Sequence, residues 1–464
     1  MLLSLLPATA FAAGEAPVES GAADSAQMET GSDATPADGD LESQGTTPGE
    51  GGAASQTSDA EVQTVTLEGK GTAADPYRIG TAETLVYAAE QMNADMDQTS
   101  HAAAHYVLTD DIDMQDVTYP PIDKFTGSLD GQDHTIRNLK IEDKKTGSIG
   151  DYQIAFIRKN GGTISNLHFE KAFISSAASD QTPYAAVAVV AGENLKGAVI
   201  SRCCVMNSEV NAPGVPKVAG IVGMSGRDQN NPATVTGCRF QGKLVCGPRT
   251  GTWGPMAGGI AAQNHTSTLE YCAANAEIIV KGSSKNPRTG IICGYANYST
   301  LRSNAALGGS ITYNAANEEQ GYMRAGRIYG DAQNFRTSDY QIADSSITVN
   351  NVAVSSPSDK DGITVTTDAL KKESTWEQYG WDMEAAWKLG ENGYPIPRAA
   401  GEIAQVRLSG AGTSADPYQL KNAEDLLYVT VRLNRDDPRL QGKCFVLTDD
   451  ITLTKDFPMI ESFS

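Results

Sequence analysis

The segments "VAGIVG" (Val218–Gly223) and "TVTGCRF" (Thr234–Phe240) recur along this chain and decide its fold. The glycine-rich segment returns as "MAGGIA" (256–261), "RTGIICG" (288–294) and "RAGRIYG" (324–330). The second segment is similar to "TIRNLKI" (135–141), "TISNLHF" (163–169), "VISRCCV" (199–205), "TLEYCAA" (268–274) and "TLRSNAA" (300–306). Each unit combines a glycine-rich strand, a polar turn and two short strands, which is typical of a solenoid.

Short strands cannot bury a face alone, but coils stacked about 4.8 Å apart bury a continuous aliphatic column. The repeats therefore predict an all-β fold, a right-handed parallel β-helix. Hairpin signals, which a meander or sandwich would need, are sparse. One position near the end of the short strand is expected to form a structural ladder, because stacked Asn amides bond to each other and Cys fills an inward site. Its predicted members are Asn138, Asn166, Cys203, Cys238, Cys272 and Asn304.

A second signal is a doubled segment, "GTAADPYRIGTAETL" (71–85) and "GTSADPYQLKNAEDL" (412–426). The first copy leads into an amphipathic helix with Thr81 as N-cap and an apolar face of Leu85, Ala88, Ala89 and Met92. The second copy repeats this pattern after Asn422. Such a helix would cover the exposed end of a β-helix, so each copy is expected to open one domain.

The chain is expected to divide into four parts. The predicted parts are a signal peptide at 1–12 that is cut short at its start, an acidic disordered spacer at 13–60, a β-helix domain at 61–400 and the start of a second, incomplete β-helix domain at 401–464. No stretch of 18 or more apolar residues occurs, so no membrane insertion is expected. These features indicate an exported protein, either secreted or attached to the cell surface.

The charge limits the possible partners. A formal net charge of −21 and a pI near 4.6 would repel phosphate backbones and anionic lipids, so no nucleic acid is expected to bind. The chain is expected to be monomeric. Seven cysteines leave at least one unpaired, and a buried thiol stack is predicted for Cys203, Cys238 and Cys272. Cys204 should then point to the face opposite to Cys203.

The glycine-rich segments and the Asn/Cys strands that follow them resemble GLUG-motif repeats. This family occurs in large bacterial surface proteins and in non-catalytic regions of IgA-specific metallopeptidases. The stretch that begins with "GTAADPYRI" (71–79) and ends before Asn138 is similar to the opening segment of such domains, and "WDMEAAWKLGENGYPIP" (381–397) is similar to their closing segment. The sequence departs from the pattern at Ala261 and Arg327, so the last coil is expected to be irregular. The resemblance implies extracellular binding or display and no shared catalytic residue.

No catalytic constellation is apparent. "HAAAH" (101–105) spaces two histidines as a zinc helix does, but Ala102 occupies the position of the general base. The acidic segment "TDDIDMQD" (109–116) lacks the glycine and distal glutamate of a calcium loop. The five histidines are scattered, so no Ser/His/Asp triad is predicted. Neither a cofactor, a metal nor a catalytic residue is expected.

The sequence also suggests a ligand-binding strip beside the glycine-rich segments. Its predicted members, which stacked coils could align for sugar rings, are Trp253, Tyr295, Tyr298, Arg327 and Tyr329. The alternative is partly buried turn packing. Trp381, Trp387 and Tyr394 are expected to plug the C-terminal end of the β-helix.

The sequence therefore favours a non-enzymatic, adhesin-like binding or display module, with extracellular glycans, mucins or host surface proteins as partners. Two alternatives stay open, namely a carbohydrate-active β-helix enzyme (a polysaccharide lyase or a glycosidase) and an accessory region of an IgA-type metallopeptidase.

Overall fold

The computed structural model is an all-β solenoid built from four sheets. It describes residues 65–460 except 96, 98, 147–152, 180–184, 227–229, 248–253, 283–286, 314–323, 339, 356–357, 385, 399–407, 435–438 and 454–456. Neighbouring coils pair in parallel in all four sheets, so the predicted parallel β-helix is confirmed. The predicted signal peptide and spacer (1–60) lie outside the described residues.

Sheets A and B are the two longest sheets. The strands of sheet A are Tyr77–Ile79, His105–Leu108, Ser128–Asp130, Thr163–Ser165, Val199–Ser201, Ala233–Thr236, Ser267–Glu270, Thr300–Arg302 and Arg336–Ser338. The strands of sheet B are Ile112–Asp113, Thr135–Arg137, Lys140–Asp143, His168–Glu170, Phe173–Ser176, Cys204–Ala212, Arg239–Cys246, Ala273–Val280, Ala305–Tyr313, Ile342–Asp344, Thr348–Val349, Val352–Ala353 and Ile363–Val365.

Sheets C and D complete each coil. The strands of sheet C are Ile122–Phe125, Ile157–Asn160, Ala191–Asn194, Val222–Ser225, Ala261–His265, Cys293–Asn297 and Tyr329–Gln333. The strands of sheet D are Gln153–Ile154, Ala186–Val187, Lys217–Ala219, Met256–Gly258, Arg288–Gly290 and Arg324–Gly326. A full coil follows the order D, C, A, B along the chain.

Three α-helices and two small sheets lie outside the four sheets. Helix α1 spans Ala82–Ala94, α2 spans Glu373–Gln378 and α3 spans Ala423–Leu433, and short 3-10 helices span His101–Ala103, Asp359–Asp361 and Ala369–Lys371. Trp387–Leu389 and Pro395–Pro397 form an antiparallel hairpin, and Tyr418–Leu420 pairs in parallel with Phe445–Leu447. Within the described residues, no helix combines the length and apolarity needed to cross a membrane.

The glycine-rich segments form the tight corner between sheets D and C. Gly258, Gly290 and Gly326 stack on successive coils. A Cβ atom on Gly290 would lie 2.4 Å from the carbonyl oxygen of Cys293 and 2.5 Å from the Cα of Tyr329. Only glycine fits this corner, because the next coil's backbone occupies the space of a side chain.

Aliphatic side chains from successive coils fill the interior. In sheet A the inward residues form one in-register column of Ile164, Ile200, Val235, Leu269 and Leu301. All five are fully buried. Full burial of such a side chain contributes about 1.5–3 kcal/mol, so stacking the coils is the main source of stability.

Helix α1 packs on the first coil as predicted. Its apolar face of Leu85, Ala88, Ala89 and Met92 is buried in the main core. The Thr81 hydroxyl accepts from the Thr84 N–H at 3.2 Å, and the Thr84 hydroxyl accepts from the Thr81 N–H at 3.0 Å. This reciprocal pair satisfies two N–H groups that the helix itself leaves unpaired.

The structure divides the six predicted ladder residues among three positions. Cys203, Cys238, Cys272 and Asn304 share one buried column, whose cysteines are unpaired thiols. The Asn304 side chain accepts from the Cys272 N–H at 3.0 Å. Asn166 instead lies one residue earlier, at a left-handed corner where its amide donates to Asp130 at 2.9 Å. Asn138 occupies the next corner of the coil, within sheet B, and donates to Asp113 at 2.7 Å.

A different asparagine ladder lies at the end of the strands of sheet C. Asn160 and Asn194 are paired in register, and Asn264 occupies the same column two coils further on. All three are buried. The Asn160 amide donates to the Asn194 Oδ1 at 2.8 Å. The sequence signal for this ladder is an Asn that recurs just before the turn into sheet A.

Arg327 closes the interior at its C-terminal end. It lies in the position that Ile291 occupies one coil earlier, and it is 1% exposed. Its guanidinium donates to the carbonyls of Asp361 and Gly362 and, at 2.7 Å, to the Thr364 hydroxyl. The departure at this position therefore has a structural reason, because the last partial coil supplies the acceptors that a buried guanidinium needs.

The closing segment covers a side of the β-helix, which differs from the predicted end plug. Trp376, Trp381 and Trp387 form one cluster with outward residues of sheet B, namely Ala273, Ala305 and Ile342. The ring centroids of Trp381 and Trp387 are 4.6 Å apart. Small side chains on the outer face of sheet B make room for these indoles, and this is why the cluster lies there.

Helix α3 packs against the closing segment through buried charges. Arg432 of α3 is paired with Glu377 at 2.9 Å and with Glu384, and all three residues are less than 5% exposed. The Tyr428 hydroxyl donates to Glu384 at 3.0 Å, and Arg439 is paired with the same carboxylate. We name these five residues the ion cluster. The predicted domain limits at 400 and 401 fall among residues that the structure does not describe.

Candidate functional site

The candidate site lies at the corner between sheets C and A. Thr266, Tyr298 and Asn334 lie on successive coils and have left-handed backbones, with φ of 54°, 47° and 48°. The N–H of Thr266 donates to the carbonyl of Asn297, and the N–H of Tyr298 donates to that of Gln333. This conformation is unusual for a β-branched residue such as Thr266 and costs about 1–3 kcal/mol, and such strain is concentrated at functional sites.

A groove of about 350 Å³ follows this corner. Seven of its eight lining residues carry a hydroxyl or an amide group, and the full set is Pro232, Thr266, Ser267, Thr268, Tyr298, Ser299, Thr300 and Asn334. Ser299 is 4% exposed, and its hydroxyl has no hydrogen-bond partner in the described part of the chain. An unsatisfied buried hydroxyl costs free energy, so a ligand that supplies a partner would gain from it.

Tyr298 provides an aromatic surface at this groove. Its side chain is 50% exposed, and its ring is stacked on His265 with centroids 6.3 Å apart and planes at 28°. The support from His265 limits the rotation of the tyrosine ring, which lowers the entropy lost on binding. An exposed, supported ring beside hydroxyl groups can stack on one face of a sugar while the hydroxyls exchange hydrogen bonds with it.

The outer face of sheet A extends the groove with a column of hydroxyls. Thr234, Thr268 and Thr300 lie in register on three successive coils. All three are partly exposed. Their side chains are therefore spaced at the distance between parallel strands, about 4.8 Å. We name these residues the threonine column.

The structure places the predicted ligand-binding residues in different environments. Trp253 lies outside the described residues. Tyr295 is 2% exposed, with the Arg288 guanidinium 4.8 Å from its ring and its hydroxyl donating to Gln333 at 3.0 Å. Tyr329 is 7% exposed and contacts Phe335, with centroids 4.9 Å apart. Arg327 seals the last coil, so Tyr298 alone of the four described residues is open to a ligand in this structure.

The histidines of the "HAAAH" segment form structural contacts. The His101 ring is stacked on Tyr77 with centroids 5.3 Å apart, and the Nδ1 atom of His105 is 2.6 Å from the Ser128 hydroxyl. Among the described residues, no group of three or more His, Cys, Asp or Glu is arranged to hold a metal ion.

The carboxylates of the acidic segment 109–116 also have protein partners. Asp111 accepts from the Thr135 N–H at 2.8 Å and pairs with Arg137 at 2.9 Å. The backbone bond from Thr135, followed by Arg137, lowers the pKa of Asp111.

A larger cavity lies elsewhere, and several of its charged side chains are paired with each other or with a neighbour. It encloses about 670 Å³ around Asn138, Lys140, Glu142 and Arg158. Lys140 pairs with Glu142 at 2.9 Å, and Arg158 pairs with Asp123. Since these charges already have partners, the cavity is a weaker candidate than the groove despite its size.

Comparisons with known proteins support the fold and leave the family open. No protein-family model matches the chain, so the resemblance to GLUG repeats stays a prediction. Halomucin from Haloquadratum walsbyi is 33% identical over 146 residues, which cover 29% of this chain and 1% of halomucin. The chain thus spans about 1% of the length of this curated relative.

A solved structure shares the architecture. It comes from Bacteroides ovatus and belongs to a protein proposed to be an immunoglobulin A1 protease. The match has a TM-score of 0.50 and 20% sequence identity, and it covers 71% of this chain and 94% of the other. At this identity the similarity concerns the fold alone.

Proposed function

We propose that this protein is an exported, β-helical binding and display module that binds extracellular glycans, including those of mucins, through the groove at Tyr298. One observation carries the proposal: a half-exposed tyrosine, stacked on His265, beside a groove lined by hydroxyls. A sugar ring needs an apolar face to stack on and several hydroxyl partners, and the groove offers both.

The comparisons are compatible with this function. One relative is named halomucin, and the fold occurs in a protein proposed to act on immunoglobulin A1. An accessory role beside a peptidase domain, and membership among GLUG-repeat surface proteins, belong to the same proposal. A lyase or glycosidase activity at the groove is less well supported, because no carboxylate is among the described residues that line it.

A glycan array tests the proposal directly. The chain should bind a subset of arrayed glycans or mucins, and Tyr298→Ala should lower the signal about tenfold or more, since loss of one stacking ring costs on the order of 1–3 kcal/mol in comparable sites. Tyr340→Ala is the matched control, because Tyr340 is similarly exposed and also has a left-handed backbone, but lies outside the groove.

Two results would overturn the proposal. An array on which the wild-type chain binds nothing would exclude glycans as the ligand. Equal losses for the Tyr298 and Tyr340 variants would show that binding does not use the groove.

A further inference from the structure

A second cleft lies on a different sheet and has a different chemistry. The outward face of sheet B carries a column of His168, Cys204, Arg239 and Ala273 on successive coils. The tryptophan cluster packs on this column at Ala273. A cleft of about 570 Å³, lined by Asp133, His168, Cys204, Arg239 and residues of the closing hairpin, remains open beside it.

His168 lies between a carboxylate and a thiol. Its Nε2 atom is 3.5 Å from Asp133 Oδ1. Cys204 is the in-register neighbour of His168 on the next coil, and side chains in such pairs are separated by roughly 5 Å at their bases. The Nδ1 atom of His168 is buried and has no hydrogen-bond partner within the described residues. The three side chains are of the types that serve as nucleophile, base and the group that orients the base, and they lie on neighbouring coils.

Arg239 adds a positive charge to the cleft, with the Tyr394 ring 5.8 Å from its guanidinium and no carboxylate of the described residues paired with it. Its side chain is 3% exposed, and its one hydrogen bond in the described part of the chain goes to the Pro395 carbonyl at 3.4 Å. Its Nε atom has no partner there, and burial lowers the pKa of this guanidinium. A buried guanidinium without a carboxylate is costly, so the cleft would gain from an anion.

We propose that Cys204, His168 and Asp133 form an acyl-transfer site for an ester that carries a carboxylate, with Cys204 as nucleophile, His168 as base, Asp133 as the positioning residue and Arg239 as the carboxylate-binding residue. The site goes beyond glycan binding, since no residue that lines this cleft also lines the groove. Cys204 is 8% exposed, and its thiol reaches the cleft while Cys203 points into the core.

The reaction balances with water as the second reactant. The Cys204 thiol gives up its proton to solvent beside the imidazolium of His168, and the sulfur bonds to the acyl carbon as the bond from that carbon to the alcohol oxygen breaks. The proton on His168 passes to the departing alkoxide. Water then attacks the thioester, His168 takes a proton from this water, and the sulfur regains a proton as the acid leaves.

The electrostatics around His168 favour its protonated form. Burial lowers the pKa of His168, but the Asp133 carboxylate and the Cys204 sulfur outweigh it and raise the value to about 10. The same contact with His168 lowers the pKa of Asp133. A raised pKa keeps the imidazole protonated at neutral pH, so that it can stabilise negative charge on the neighbouring sulfur and supply a proton to the leaving group.

The test uses the full chain with Cys444→Ser, which removes the one thiol that is not buried. Mono-4-nitrophenyl succinate is the probe, and 4-nitrophenyl acetate is its uncharged control. We expect a burst of nitrophenolate, a succinyl group on the peptide that contains Cys204, and acylation about 10²-fold faster than for the urea-unfolded chain. The Cys204→Ser variant should lose the burst, and His168→Gln should slow it by a similar factor.

Further variants keep the test decisive. Arg239→Lys should slow the succinate probe more than the acetate probe, because the fork of arginine matches a carboxylate and a lysine does not. If circular dichroism shows that His168→Gln is unfolded, Asp133→Asn on the partly exposed turn replaces it and should slow acylation at least tenfold. Acylation of Cys204 no faster than in the unfolded chain, or an unchanged rate in the folded variant, would overturn the proposal.

Discussion

Single residues set the path of every coil in this protein. At the corner between sheets C and A, Thr266 and Tyr298 accept a left-handed backbone, whereas Gly290 has no room for a side chain at the corner between sheets D and C. The two corners use different physical devices, conformational strain at one and steric exclusion at the other. At the corner between sheets C and A, the Tyr298 side chain stays at the surface for binding. At the corner between sheets D and C, the backbones of neighbouring coils come close together.

The Gly290→Ala variant should be destabilised by about 1–3 kcal/mol or more, because the added methyl meets backbone atoms that cannot move independently of the ladder. Urea unfolding followed by circular dichroism measures the change. Gly161→Ala is the matched control, since its nearest atom is a side-chain methyl at 3.3 Å. Equal stability of the two variants would contradict this account of the corner.

At the scale of elements, α1 covers strands that would otherwise be open to pairing. Its buried face joins the main core, and its first turn is held by the reciprocal hydrogen bonds of Thr81 and Thr84. A β-helix has unpaired strand edges at both ends, and such edges promote aggregation. The helix therefore contributes to solubility as well as to stability.

The Thr81→Ala variant should lose about 1 kcal/mol, because the Thr84 N–H loses its acceptor. Thr81→Ser keeps the hydroxyl and should lose much less. Thermal unfolding measures both changes, and light scattering after mild heating should rise first for the alanine variant. If alanine and serine behave alike, the capping hydroxyl does not hold this helix.

At the scale of the whole molecule, the ion cluster joins α3 to the closing segment. The two carboxylates and Arg432 are buried, the partly exposed Arg439 supplies the second positive charge, and the pKa of Arg432 rises because Glu377 and Glu384 outweigh the effect of burial. In α1, the position that corresponds to Arg432 within the doubled segment is Gln91. We therefore expect that Arg432 is the residue that allows α3, unlike α1, to dock on a preceding closing segment.

The Arg432→Gln variant should expose α3 to hydrogen exchange, because it removes the guanidinium paired with Glu377 and one of the two paired with Glu384, a loss of about 3–5 kcal/mol. Hydrogen–deuterium exchange read by mass spectrometry reports on residues 423–433 separately from the main coils. Gln91→Arg in α1 is the matched control and should leave exchange in α3 unchanged. Unaltered protection of α3 in Arg432→Gln would contradict the docking role.

The sequence predicts the architecture well because each coil repeats the same constraints, an apolar inward residue and a glycine at the tight corner. The register within a coil is harder to predict. Asn138 and Asn166 look equivalent, since each is followed by a buried leucine, but they occupy different corners of the coil. The first coil places Ser128–Asp130 in sheet A, and this shifts "TIRNLKI" into sheet B.

The candidate sites depend on that same register. The exposure of Tyr298 and the burial of Tyr295 follow from which side of the corner each residue lies on, and composition does not encode this. Cys204 and His168 are neighbours because the strands that contain them pair with an offset of 36 residues, and this offset is seen only in the structure. The repeated segments are enough to predict the fold, but they are not enough to predict which outward side chains become neighbours on adjacent coils.

The threonine column has a consequence for any long ligand. Because the same hydroxyl recurs on three coils, a polymer with a matching repeat can shift by one step and meet an identical set of groups. Binding is then degenerate in position, and a chain released from one step is recaptured at the next before it diffuses away. Such a surface would hold a polymer for long times while leaving it free to slide, and it would discriminate by the length and period of the polymer more than by any single sugar.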